Sequence, residues 1–116
     1  MNPYNRAEII DINFSQKLKN GSLPNNITRH SISDLGLKAS DIISIFESQV
    51  FSRHMDIKAR ELKEKGECFY TIGSSGHESN AVFGHIFPYT DIAFLHYRSG
   101  PFFIERSKQI PGSSPL

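Results

Sequence analysis

Between residues 41 and 65, apolar side chains recur at helical spacing along DIISIFESQVFSRHMDIKARELKEK, and they do so on two faces. Ile42, Ile43, Phe46, Val50 and Ile57 form one stripe. Phe51, Met55, Ala59 and Leu62, spaced by four, four and three, form a second about half a turn away. Ser40 is a suitable N-cap, and Asp41 suits the positive end of the helix dipole. Gly66 can take the left-handed conformation that ends a helix. A surface helix needs one apolar stripe, so two stripes predict burial against two partners. The second partner is then another subunit or a further part of the protein.

Upstream the pattern weakens. Residues 15–34 read SQKLKNGSLPNNITRHSISD, with turn chemistry at Asn20-Gly21 and Pro24-Asn25-Asn26. Residues 1–38 therefore read as a polar N-terminal arm, extended with short ordered pieces, from which Ile9, Ile10, Ile12 and Phe14 can dock. Downstream the chain is denser, with nine of the thirteen aromatics between Phe69 and Phe103, so a core or an interface concentrates there. Ser75-Gly76-His77-Glu78 fits a capping box opening a short helix over 76–86, in which Gly84 permits close packing. Asp91-Ile92-Ala93-Phe94-Leu95-His96 reads as a short buried extended segment. Ser99-Gly100-Pro101 opens another helix, with proline at the first helical position, that ends near Pro111-Gly112. Residues 111–116 form a tail with no structural reason to be ordered.

Composition narrows the function classes. A length of 116 residues suits one domain, and 11 % aromatic with 22 % charged residues disfavours wholesale disorder. Thirteen Lys and Arg against twelve Asp and Glu leave no basic field for holding a nucleic acid. A lone cysteine, Cys68, makes no internal disulfide and reads as a small buried residue. The apolar runs are too short for a membrane span. The opening MNPYNRAEII has no secretory pattern, so a cytoplasmic location is expected.

Three places carry candidate chemistry. Gly73-Ser74-Ser75-Gly76 before a helix reads either as an anion cradle or as a glycine-permitted turn with a cap; no Lys-Ser/Thr pair follows, so it is no nucleotide P-loop. His77 and His85, eight apart, lie loosely on one helix face that His96 could approach; a metal site needs three or four convergent ligands, so they read first as hydrogen-bonded histidines, with a metal site the last-ranked alternative. His96-Tyr97-Arg98 follows the apolar segment. Its guanidinium suits a phosphate or carboxylate, the alternative being a structural salt bridge with Glu78 or Glu105.

Taken in order, Phe69-Tyr70, Gly76-His77-Glu78, Asp91 to Phe94 and Tyr97-Arg98 make about residues 40–110 resemble one family. It is the N-terminal part of the α half of thiamine-diphosphate-dependent 2-oxo acid dehydrogenases, closer to the branched-chain type than to the pyruvate enzymes. The resemblance implies an α/β parent fold with a parallel sheet, of which residues 39–110 supply a mostly helical piece with little strand. It implies that Tyr97 and Arg98 contact the cofactor diphosphate. Phe69 or Tyr70 would line the active site, and His96 would face the cofactor or substrate. Gly76 and Glu78 would be structural.

The same resemblance implies oxidative decarboxylation of a branched-chain 2-oxo acid with acyl transfer to lipoamide. The implied cofactors are thiamine diphosphate and Mg²⁺; the implied partners are a β half, the remaining α segment and a lipoyl acyltransferase. The Gly-Asp-Gly segment by which the family holds magnesium does not occur in this sequence. No catalytic residue is assigned, and the chain is expected to be a fragment, inactive alone. The alternative expectation is a non-catalytic helical interaction module.

Overall fold

The computed structural model describes residues 6–22, 30–69 and 72–114. They divide into two units, one up to Ser31 and one from Ile32 onward. Among the described residues there are four α-helices and no strand.

In the first unit, α1 runs Arg6–Lys19, where the sequence reading has an extended arm with short ordered pieces. No glycine or proline interrupts this stretch, Glu8 lies in its first turn, and Lys17 and Lys19 lie in its last, all in accord with the helix dipole. Asn20-Gly21 is the helix terminator. Gly21 has φ 63°, its amide bonds Leu18 O, and the Ser22 amide bonds Lys17 O, the paired pattern of a Schellman cap. Ile9, Ile10, Ile12 and Phe14 are exposed. The Pro24-Asn25-Asn26 turn lies outside the described residues.

The second unit is built on α2 (Ala39–Glu64), α3 (Ala81–Ile86) and α4 (Gly100–Ser107). Helix α2 begins one residue before the expected cap. Lys38 stands at the N-cap in an extended conformation, and Asp41 Oδ2 accepts its amide at 2.8 Å, so Ser40 lies inside the helix. The far end matches expectation: Gly66 has φ 76°, and the Glu67 and Gly66 amides bond Leu62 O and Lys63 O.

The seam that α2 buries runs between its two apolar stripes. Ile45, Ser48 and Ser52 are its buried positions, with Met55, Ala59 and Leu62 half-buried beside them. Ile43, Phe46, Val50 and Ile57 lie on the opposite side and are exposed.

Helix α4 packs against α3 and α2. Pro101, Phe102 and Ile104 are buried, with Ile45 and Ala81 completing a small apolar core. Gly84 provides the close packing expected of it: a Cβ there would run into the Phe102 carbonyl oxygen. A 3-10 turn, Glu78–Asn80, leads into α3. The capping box is replaced: Glu78 accepts the Gly76 amide at 2.8 Å, and His77 occupies the N-cap position. Helix α4 stops at Ser107, short of Pro111, because the amides of Lys108, Gln109 and Ile110 bond three residues back rather than four.

The segment around Asp91–His96 is neither a strand nor buried. Ile92 is 90 % and Phe94 100 % exposed. No strand among the described residues offers it a hydrogen-bonding ladder, and a lone strand is not stable in water. It is tied at its ends instead. Arg106 Nη2 donates to the carbonyls of Pro88, Tyr89 and Asp91, and the His96 amide donates to Ser99 Oγ. Of the described aromatics between 69 and 103, Phe102 is buried while Phe69, Phe83, Phe87, Tyr89, Phe94, Tyr97 and Phe103 are exposed. The concentration of aromatics is therefore mostly surface.

Candidate functional site

The three residues His96, Tyr97 and Arg98 form a short turn just before α4, closed by the Ser99 amide donating to His96 O at 2.8 Å. The His96 and Tyr97 rings lie 3.7 Å apart, centroid to centroid, and the Arg98 guanidinium carbon sits 5.2 Å from the Tyr97 ring centre. Tyr97 and His96 are exposed and Arg98 is half-buried. Arg98 Nη1 donates to the Gly73 carbonyl at 3.1 Å, and among the described residues no carboxylate pairs with the guanidinium. Neither expected salt bridge forms, since Glu78 serves the Gly76 amide and Glu105 is committed elsewhere. A cation held by one backbone carbonyl keeps further N–H donors for an anion.

The loop that carries Gly73 is fixed from α2. Asp56 Oδ2 accepts both the Ser74 amide, at 2.8 Å, and the Ser74 hydroxyl, at 3.0 Å. Ser74 is 3 % exposed and shares a 2.7 Å hydrogen bond with Ser52. The anion-cradle reading of Gly73–Gly76 is thus met by the chain's own carboxylate at Ser74, and the turn reading describes the loop. Phe69 is 100 % exposed. Tyr70 lies outside the described residues.

A second polar cluster joins all three helices of this unit. Glu105 on α4 is 2 % exposed. It accepts from Ser48 at 2.5 Å, from Ser44 at 3.0 Å and from the His85 ring at 2.8 Å, and it pairs with Lys108 at 3.0 Å. His85 also stands 3.9 Å from Asp41. Burial alone would raise the Glu105 pKa; the hydrogen bonds from Ser48, His85, Lys108 and Ser44 together outweigh it, and the carboxyl is held below its ordinary value.

His85 is therefore a hydrogen-bonded histidine, as its spacing indicates. Among the described residues no group of three His, Cys, Asp or Glu can hold a metal ion. Cys68 is half-buried, and its thiol faces the Ala59 carbonyl at 3.4 Å. No described helix is long and apolar enough to cross a membrane.

Sequence reasoning did not reach Asp56 or the serines that flank it. Their signal is a polar four-residue spacing, Ser44, Ser48, Ser52 and Asp56, threaded between the two apolar stripes of α2. Comparison with known protein families, with curated proteins and with solved structures finds no match for this chain.

Proposed function

We propose that this chain serves as the diphosphate-contacting N-terminal segment of the α half of a thiamine-diphosphate-dependent 2-oxo acid dehydrogenase of the branched-chain type. The observation that carries the reading is Arg98: a fixed guanidinium beside an exposed phenol, bound to one backbone carbonyl and to no carboxylate among the described residues. That donor set fits a diphosphate. It does not fit the accompanying Mg²⁺, which needs several convergent oxygen ligands; these would come from the remaining α segment.

When bound, thiamine diphosphate supplies the carbanion stabilisation that decarboxylation of a 2-oxo acid requires. This chain's part is binding. Arg98 and the Tyr97 hydroxyl hold the anionic end, and His96, its ring tilted against that of Tyr97, lies at the same exposed edge. Phe69 and Tyr70 would complete the site only against the other segments. In that assembly the helices abut the parallel sheet of an α/β fold. The β half and a lipoyl acyltransferase are the partners, and the chain alone turns nothing over.

The test is a titration of the full chain, and of the chain with the remaining α segment and β half, with inorganic pyrophosphate and with thiamine diphosphate plus Mg²⁺. Arg98→Ala is expected to weaken pyrophosphate binding about tenfold or more, as for loss of charged hydrogen bonds. Unchanged binding in that variant, or no binding in the reconstituted mixture, overturns the reading.

A second reading, a non-catalytic helical interaction module, is favoured by one observation. Phe46, Val50 and Phe51, with Ile104, Lys108 and His54, line an apolar groove of about 770 Å³ beside the exposed face of α2. It predicts a mass that rises with protein concentration in light scattering, with no response to pyrophosphate.

A further inference from the structure

Arg98 is aimed by a chain of contacts that starts on α2. Asp56 reaches across to the loop and receives two hydrogen bonds from Ser74 on a single oxygen, at 2.8 and 3.0 Å. With its amide and hydroxyl both held, Ser74 fixes the preceding peptide, and the Gly73 carbonyl points at Arg98 Nη1, 3.1 Å away. The approach is close enough that a Cβ on Gly73 would stand 2.9 Å from the same Asp56 oxygen. The chain on the other side of Arg98 is docked at the same point of α2: a Cβ on Gly100 would stand 2.9 Å from Ser52 Oγ, which is itself bonded to Ser74. Both the carbonyl that receives the guanidinium and the backbone that carries it are therefore referenced to one turn of α2.

We infer that Asp56 is a positioning residue, which orients the Arg98 guanidinium through the Gly73–Ser74 peptide for an anion of the diphosphate class without touching that anion. The inference rests on the reading of Arg98 given above. An arginine side chain is costly to order, and a carbonyl clamp set in advance lowers that cost at binding.

Two measurements on the full chain test this. The first compares pyrophosphate affinity in Asp56→Ala and Asp56→Asn. Both Ser74 donors meet one oxygen, so the asparagine variant keeps an acceptor in place and is expected to bind within about twofold of the wild type, whereas the alanine variant weakens binding about threefold to tenfold. Equal binding by a folded Asp56→Ala chain overturns the inference while leaving the Arg98 reading intact, whereas Arg98→Ala without effect removes both.

The second needs neither a variant nor an anion. Nitrogen-15 NMR of the wild-type guanidinium is expected to show slowed rotation at Arg98, together with slowed exchange of the Ser74 amide. A freely rotating Arg98 guanidinium overturns the inference, including the case in which Asp56→Ala fails to fold.

Discussion

Glu105 is the residue on which the helical unit most depends for polar order. Its carboxylate gathers donors from α2, from α3 and from Lys108 just after α4, and its removal leaves Ser44, Ser48, His85 and Lys108 without their shared acceptor. His85 and Lys108 retain some access to water, so the loss falls short of that for a wholly buried ion pair. Glu105→Ala is expected to cost about 2 kcal/mol, read as a lower urea midpoint. The pKa of this carboxyl is lowered by folding, so the unfolded chain takes up the proton first on acidification. The contribution is present above the ordinary carboxylate range and is lost as pH falls through the folded value. Comparing midpoints at about pH 7 and about pH 3 checks it, and Glu105→Gln should flatten the difference. Gly84 supplies a contrasting case, in which the added atom rather than a lost bond does the damage. Gly84→Ala would drive a methyl into the Phe102 carbonyl and should cost about 2 kcal/mol or more in the same assay.

At the level of elements, local chemistry was legible where it is self-contained. The end of α2 follows from Gly66 alone, where an added Cβ would meet nothing within 4 Å. Gly66→Ala should therefore lower stability by about 1 kcal/mol through backbone strain only, with Gly66→Asn less affected, as thermal melts would show. The short helix before Phe87 and the proline-opened helix at Gly100 were legible for the same reason. The elements that depended on remote partners were not. Residues 91–96 have the apolar content of a strand, yet none of the described residues supplies a neighbour to pair with, so the segment stays exposed. Ser75 and Glu78 have the spacing of a capping box, but the positive φ of Gly76 turns the chain so that Glu78 meets the Gly76 amide first. The stretch forming α1 reads as part of an extended arm with short ordered pieces, although its terminal charges and its glycine cap are those of a helix. Within the site, the Tyr97-Arg98 pair was visible as a motif. Its support from Asp56 was not, because that contact spans eighteen residues and joins a helix to a loop.

For the whole second unit the apolar core is small, and much of the apolar surface faces outward. Ile43 and Phe46 are the most exposed of the outward apolar residues of α2, so replacing both by lysine should change the unfolding free energy by only about 0.5 kcal/mol each. The same pair of changes should lower binding of a hydrophobic dye and suppress any association seen in light scattering. An unaltered association state would assign the contact to another surface. The internal organisation of this unit rests unusually heavily on hydroxyl groups. Serines recur at every fourth place along α2, from Ser40 through Ser52, and Ser44, Ser48 and Ser52 face inward. Such a ladder is a rail: a slide of α2 past α4 by one turn in either direction would hand Glu105 another serine in place of Ser48. The rail has stops. One direction would drive Asp41, and the other Gln49, into the apolar niche of Ile45, and either slide would carry Asp56 away from the loop it holds.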